Sequence, residues 1–394
     1  MKKKLLVTGT TFPRWKDDTE PRFVLDLSKA LTKYYDVTVL VPATEGAKTH
    51  EMLEGVNVIR YHYFPIHKLE TLCYPGAIVP RIKEKKVRVL LVPFLLIGLF
   101  IKLRKLLPDY DLVHAHWVIP QGIIQSLFSK PFIITGHGGD IMSMNQGIIK
   151  KIKTRALKKA SYVTTVSEEL KRKTQSITNL DNIEVISMGC NTELFGKKYA
   201  VKNYFKQDDK KVLLFVGRLA EKKGIKYLIE AMFKIDALLF IVGEGPLRTA
   251  LQKQAEPLNN KIKFLGAKTH EELKVLFASA DIFVAPSVTA KDGDTEGVPT
   301  VLMEAMASGL PCVASDSGGI KSLISDEEEG FLVEEKNVNQ LIERINVLVQ
   351  DDNLRIKLSK KARLKAEQYD YNKIAGKYKE VLEKALKNQG AAVH

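Results

Sequence analysis

Two carboxylates stand eight positions apart in DGDTEGVPTVLMEAMASGLP, residues 292–311: Glu296 ahead of a proline, and Glu304 within a run of small apolar residues. Pro299 suits the first turn of a helix that Gly309 and Pro311 close, so Glu296 is predicted on a loop and Glu304 in the helix's second turn. At such a helix start the backbone amides near Thr300 and Val301 lack intrahelical partners, and with the helix dipole they suit a phosphate. A carboxylate would repel that phosphate but can hold sugar hydroxyls beside it. Cations for a diphosphate are at hand in FVGRLAEKKG, 215–224. Arg218 leaves a strand there and Lys223 opens the next helix, so both can neutralise phosphate without a metal; the alternative is two surface cations. A further strand-end turn, VGEGPL, places Gly243 and Gly245 but lacks the third glycine of a dinucleotide fingerprint, leaving Gly243 as a backbone position beside the phosphate site.

Histidines supply the rest of the candidate chemistry. His114 and His116 flank Ala115 at the end of a strand and are expected to point opposite ways, one of them simply buried. His116, next to Trp117, is the candidate of the pair for contact with a substrate. In TGHGGD, 135–140, Asp140 either orients His137 or caps the helix that follows. The DGD at 292–294 mimics a metal-binding DxD, although a polar loop or a donor-sugar contact also accounts for it.

Short β-rich runs alternate with helical stretches throughout, the pattern of parallel sheets covered by helices. Strands are predicted at 3–8, 36–41, 56–60, 111–115, 131–135, 161–166 and 183–187, with helices at 22–34 and 122–129 among those between them. The count then resets, with strands at 211–216, 237–242, 261–265, 281–285 and 311–314. The fold class is therefore α/β, two doubly wound Rossmann-like domains facing a central cleft, where the carboxyl ends of their strands bind ligands. Residues 1–195 form the first domain, 196–210 a polar linker and 211–370 the second. A last helix from 371 to about 386 is expected to pack back toward the first domain, with a tail to 394.

Composition narrows the classes. At 394 residues, with 45% apolar and 27% charged side chains, the chain is globular and too long for one comfortable core. Three scattered cysteines, Cys73, Cys190 and Cys312, form no CxxC pair, which argues against structural zinc or disulfides and fits a reducing cytoplasm. MKKKLLVTG lacks a signal-peptide core and reads as a first strand. The longest apolar run, Val89–Ile101, is broken by Pro93 and is shorter than the roughly 20 residues a membrane span needs.

Net charge is +15, and residues 1–195 hold 29 Lys and Arg against 18 Asp and Glu. Such a surplus favours an anionic partner; no nucleic-acid-binding motif accompanies it. Lys83, Lys85, Lys86 and Arg88 precede the apolar run and Lys102, Arg104 and Lys105 follow it. That is the composition of an interfacial helix on an anionic leaflet, or of a buried helix with charged ends, and a bend at Pro93 would let both hold.

Taken together, GRLAEKKG, VGEGP, FLG at 264–266, EGVPTVLMEAMASGLPCVASDSGG, HAHWVIPQG and TGHGGD resemble the retaining glycosyltransferases of family 4, which have the GT-B fold. The resemblance covers nearly the whole chain and is nearest to members that build exopolysaccharides and other cell-surface glycans. It implies a hexosyltransferase that works without a cofactor or divalent metal. The donor is a nucleotide-diphosphate sugar, and the acceptor a glycan or a polyprenyl-phosphate-linked glycan. The enzyme is then cytoplasmic, with peripheral attachment to the inner face of the plasma membrane.

By the same resemblance Arg218 and Lys223 hold the donor diphosphate and Glu304 the ribose. Glu296 lies near the donor sugar and reacting centre, and His137 reaches the transferred sugar. Two departures stand out: TGTTFPRWKDDTEP lacks the paired glycines common in the first turn, and GCNTELF has Asn191 where an aspartate is usual. A glycosidase would also use two carboxylates, but it needs no Arg218 and Lys223 aimed at a diphosphate. A sugar-nucleotide 2-epimerase on the same fold, or a silent carbohydrate-binding protein docked on a membrane, are the other readings.

Overall fold

The computed structural model describes residues 2–206, 210–291 and 293–391, with the backbone alone for 388–391. Contacts divide the chain into two units, Met1–Ser187 with Tyr371–His394, and Met188–Asp370. Residues 196–206, predicted as linker, thus belong to the second unit, where the Lys197 ammonium donates to the carbonyls of Ala278 and Ala280.

The first unit holds β1 (Lys4–Thr8), β2 (Asp36–Pro42), β3 (His50–Leu53), β4 (Val56–Tyr61), β5 (Leu112–His116), β6 (Phe132–Gly136), β7 (Tyr162–Thr165) and β8 (Ile183–Val185). They form one sheet in the order β3-β4-β2-β1-β5-β6-β7-β8, parallel apart from the edge strand β3. The helices between them are α1 (Phe23–Leu31), α2 (Ile78–Glu84), α3 (Val92–Leu106), α4 (Ile123–Gln125), α5 (Gly139–Met142), α6 (Gly147–Lys159) and α7 (Glu168–Thr178). The order reverses between β1 and β5, the topological switch point at which open α/β sheets bind ligands beyond their strand ends.

The second unit repeats the plan with β9 (Val212–Val216), β10 (Leu238–Val242), β11 (Ile262–Gly266), β12 (Ile282–Ala285), β13 (Cys312–Ser315) and β14 (Gly330–Val333). Its all-parallel order is β11-β10-β9-β12-β13-β14. The helices are α8 (Ile225–Ala231), α9 (Arg248–Ala255), α10 (His270–Ser279), α11 (Thr300–Ala307), α12 (Val338–Gln350) and α13 (Asp352–Ala366). Leu213, Phe215, Leu239, Ile241, Ile282 and Val284 fill the core with the inner faces of α8 and α12, the continuous apolar strands that helices on both faces require. The chain then re-enters the first unit as α14 (Tyr371–Ala391), which packs on α1 and β6 and buries Tyr378 completely.

Two predictions of local structure need correcting. The helix foreseen at 122–129 is only α4: it follows a wide turn at Val118–Gly122 and passes at once into tighter turns, with the N–H groups of Leu127 and Phe128 donating three residues back to Ile124 O and Gln125 O. Pro93 bends nothing: it sits in the first turn of α3, where its missing N–H has no intrahelical partner to lose. Buried Leu95, Leu99 and Leu103 share one stripe of that helix, while Phe94, Ile97 and Ile101 stand exposed on another. The segment is therefore buried on one side and apolar on the side facing water.

Candidate active site

In the second unit the chemistry gathers at the carboxyl ends of β9 and β12. Gly217 and Arg218 follow β9, and the turn is tied to the β10 end by the Leu219 N–H, which donates to Glu244 O at 2.9 Å. A Cβ on Gly243, whose φ is +133°, would lie 1.9 Å from Gly217 O, so only glycine lets these two turns meet. Arg218 is exposed. Lys223 ends a 3-10 turn, Glu221–Lys223, just before α8.

The Lys223 ammonium donates to Glu296 Oε2 at 3.0 Å, and Lys222 approaches Oε1 at 3.7 Å while pairing with Asp294 at 3.2 Å. Burial pushes the Glu296 carboxyl up, but the positive charges of Lys223 and Lys222 outweigh it and hold the pKa below the ordinary carboxylate value. Glu296 is thus a buried, ionised carboxylate. Its backbone is clamped as well: Gly319 N–H donates to Glu296 O at 3.2 Å, and a Cβ on Gly318 would fall 2.0 Å from that same oxygen.

Glu304 sits in the second turn of α11, buried, with Oε1 3.6 Å from His270 Nε2 and Oε2 without a hydrogen-bond partner among the described residues. A buried carboxylate oxygen without a partner among the described residues is an acceptor open to a ligand or to water. No side chain caps α11, whose first residues are Thr300 and Val301. Of the DGD stretch, Asp292 lies outside the described residues and Asp294 pairs with Lys222.

The first unit's candidate residues stand at the ends of β5 and β6. His114 and His116 are both buried, with ring centroids 4.2 Å apart. They point the same way, against expectation, because residues two apart on a strand share a face. His116 Nδ1 lies 2.9 Å from His137 Nε2. His137 is half-buried, packed on Trp117 at 4.7 Å and Phe23 at 5.2 Å.

Burial depresses the pKa of all three histidines, to about 3 for His114 and His137, and the neighbouring rings add to this for His114 and His116. All are neutral at pH 7. Asp140 neither caps α5 from in front nor touches the His137 ring: it lies within α5 and accepts the N–H groups of His137 at 3.1 Å, Gly138 at 3.0 Å and Val118 at 2.8 Å. It staples the β5 and β6 turns together. Burial raises its pKa against the pull of those donors.

The two halves of the chain match two family models: residues 21–194 match Glycosyltransferase Family 4, and residues 197–365 match Glycosyl transferases group 1. An uncharacterized glycosyltransferase of Methanocaldococcus jannaschii is 32% identical over 306 residues, 71% of this chain and 77% of that protein. The chain belongs to glycosyltransferase family 4. The amylovoran biosynthesis glycosyltransferase AmsK of Erwinia amylovora is 39% identical over 168 residues, 41% of this chain and 40% of AmsK. Among solved structures, sucrose-phosphate synthase from Thermosynechococcus elongatus superposes with a TM-score of 0.78 at 20% identity over the full length of both chains. HepE of Anabaena, in complex with UDP-glucose, superposes with 0.72 at 20% identity over 96% of this chain and 99% of its own. The fold of this glycosyltransferase is GT-B.

Within each unit of the glycosyltransferase the structure groups the sequence-chosen residues: Lys223 with Glu296, and His116 with His137 and Asp140. Sequence reasoning missed four partners. Lys222 is the second cation at Glu296, signalled only by the doubled lysine of EKKG. His270 approaches Glu304 from α10, with no local signal. Buried Lys153 of α6 donates to the carbonyls of Asp140, Ile141 and Ser143 and to Asn145 Oδ1, fixing the loop after TGHGGD. Asp18 ties the first turn together, accepting the N–H groups of Arg14 at 2.8 Å and Thr19 at 2.8 Å together with the Arg14 guanidinium. Asn191, at the usual aspartate position, needs no charge: its Oδ1 accepts the N–H groups of Glu193 and Leu194 and closes a turn.

Proposed function

We propose that this glycosyltransferase transfers a hexose, with retention and without a divalent metal, from a nucleotide-diphosphate sugar to a glycan or polyprenyl-phosphate-linked acceptor in cell-surface polysaccharide synthesis. The observation that carries the donor assignment is Glu296, ionised, buried and held by Lys223, eight residues before Glu304, whose Oε2 has no partner among the described residues. Lys223 and Arg218 meet the diphosphate, with the uncapped start of α11 at Thr300 and Val301 and the close turn at Gly243 beside them. Glu304 takes ribose hydroxyls. Glu296 and His137 act on the transferred sugar, and His116 and Asp140 build the acceptor side from behind. AmsK's part in amylovoran biosynthesis and the UDP-glucose held by HepE support the substrate class.

The acceptor's lipid carrier is supported by the outer face of the first unit. α4 touches both α3 and α6. α3 exposes Phe94, Ile97 and Ile101, and α6 exposes Ile148, Ile149 and Ile152 beside Lys150, Lys151 and Arg155. Those cations line an open groove of about 730 Å³. No helix among the described residues is long and apolar enough to cross a membrane, so the proposed attachment is peripheral, at the cytoplasmic face, through apolar ridges with basic flanks.

The test is transfer from UDP-glucose, GDP-mannose or ADP-glucose to a polyprenyl-diphosphate glycan in excess EDTA, with the anomeric configuration of the product read by NMR. Consumption of one donor only when acceptor is present, giving an α-linked product, supports the proposal. Dependence on added Mn²⁺, inversion, or epimerised donor without acceptor overturns it.

A further inference from the structure

His116 has no surface from which to touch an acceptor, yet it is the side chain that holds His137 by its ring. Both rings are neutral, so a single proton lies between His116 Nδ1 and His137 Nε2, and two arrangements are open. In one, His137 donates from Nε2; the His116 proton then sits on its own Nε2, an atom that is buried and has no partner among the described residues. In the other, His116 donates from Nδ1 and its Nε2 is left with a lone pair only. Buried N–H groups without a partner are rarer than acceptors left unused, so the second arrangement is favoured.

We infer that His116 is a positioning residue whose Nδ1–H donates to His137 Nε2, fixing His137 as the tautomer with its proton on Nδ1, from which it donates to an oxygen of the transferred sugar. The last step rests on the reading above that His137 meets that sugar.

The surroundings hold His116 to this task. β5 and β6 pair His116 with Thr135, and the Trp117 N–H donates to Thr135 O at 2.9 Å. The ring lies against His114, whose Nε2 is 2.7 Å from Thr135 Oγ1, and that hydroxyl meets Thr164 Oγ1 at 2.7 Å and the Tyr378 hydroxyl of α14 at 3.3 Å. Trp117, at its positive φ, turns the chain away directly after His116 and lays its own ring on His137. Nδ1 of His137 is engaged by no side chain among the described residues, so it is the ring nitrogen left for a ligand. An N–H at that point is a fixed donor that needs no reorganisation when substrate arrives.

The deciding experiment is two-bond ¹H–¹⁵N correlation NMR of the full chain with ¹⁵N-labelled imidazoles at pH 7, assigned with His137→Gln and His116→Asn. A protonated Nδ1 and bare Nε2 on His137 is the expected result; a protonated Nε2 overturns the inference whatever the activity. Steady-state transfer to the polyprenyl-diphosphate glycan, from whichever of the three donors is consumed, gives a second reading. His116→Leu should lower kcat by about 10- to 100-fold, the range found when the hydrogen-bonded partner behind a metal-ligating histidine is lost, with KM changed no more than about twofold. His116→Asn, whose amide N–H can take the place of Nδ1–H, should recover most of the loss. An unchanged kcat in folded His116→Leu, or no recovery in His116→Asn, counts against the role. Wild-type enzyme that shows the Nδ1 tautomer but never turns over a nucleotide sugar would instead refute the proposed function and leave the tautomer standing.

Discussion

The two units share a sheet plan and carry opposite kinds of polarity at their strand ends. In the second, a buried charge is held by partly exposed ones of opposite sign: Glu296 by Lys223 and Lys222. In the first, two buried histidines and a half-buried third stand without charge, joined by hydrogen bonds and stacking. A diphosphate brings formal charge, and cations already neutralised by a displaceable carboxylate can be ready for it without standing unpaired in a dry site. A sugar ring brings hydroxyls, and neutral donors and acceptors of fixed direction suit it better. The same architecture thus supports two chemistries through what each strand-end turn buries.

The sharpest way to break this contrast is to remove the two residues proposed to act on the transferred sugar. Glu296→Gln and His137→Ala should each lower turnover by roughly 10²- to 10⁴-fold, the range for a group acting on the reacting centre, while nucleoside-diphosphate binding survives. Turnover and calorimetric titration with UDP, GDP and ADP check this. Parallel loss of binding and rate in His137→Ala would put that histidine among the phosphate contacts and erase the division of labour.

Arg218 belongs wholly to the charged side of the comparison. Arg218→Ala should weaken nucleoside-diphosphate binding by about 1.5–3 kcal/mol, the scale of a hydrogen bond to a charged group, or roughly 10- to 150-fold in Kd. Unchanged affinity in the folded variant removes Arg218 from the site.

The charged side was the more legible from sequence. Pro299 and Gly309 punctuate α11, so the loop position of Glu296 and the helical position of Glu304 follow from neighbours in the chain. Strand positions were legible wherever a strand is central and apolar. β3 was not, because HEML is a polar edge strand paired antiparallel to β4, and β14 was not, because GFLV is short and opens on glycine. The histidine side depends on contacts that no local pattern records. His116 meets His137 across 21 positions and Thr135 meets Tyr378 across 243. Lys153 points inward from a helix otherwise rich in outward lysines, because its acceptors are carbonyls of the preceding loop.

The two sides should also separate by pH. Histidines with a depressed folded pKa take up protons on unfolding, so their contribution is complete above the unfolded value of 6.5 and is lost as pH falls toward about 3. The slope is about 1.4 kcal/mol per pH unit for each fully buried histidine. Asp140, raised by burial, works in the opposite sense as a single group. Glu296, held below its ordinary 4.5, keeps its contribution until the pH falls below that value. Between pH 7 and 5 the first unit should therefore soften while the second does not. Pulsed hydrogen exchange in urea, comparing peptides from β5 and β6 with those from β12 and β13, checks the difference; equal softening would mean the buried histidines are not what distinguishes the units.

The smallest effect per residue, and the last contrast, is on the outside. Residues 1–195 carry a surplus of eleven basic side chains, against four in the remainder of the chain, and the exposed apolar ridges of α3 and α6 lie in the first unit. Arg88 does not count toward a lipid-facing flank, because it is buried and donates to Arg81 O at 2.9 Å and to Thr71 Oγ1 at 3.3 Å. Lys85, Lys86, Arg104 and Lys105 around α3, and Lys150, Lys151 and Arg155 on α6, do stand outward. Each should add on the order of 1 kcal/mol of attraction to an anionic leaflet when close to it, fading as salt shortens the screening length. The apolar ridges should add a part that salt does not remove, since Ile97 is 57% and Ile148 72% exposed. Co-sedimentation with vesicles of phosphatidylcholine alone, or with phosphatidylglycerol added, separates the two parts across a salt series. Ile97→Ser with Ile148→Ser should lower binding equally at all salt concentrations, whereas Lys150→Glu with Lys151→Glu should lower it chiefly at low salt. Failure of the wild-type protein to bind anionic vesicles even at low salt would leave the first unit's outer face without a lipid role and its acceptor in solution.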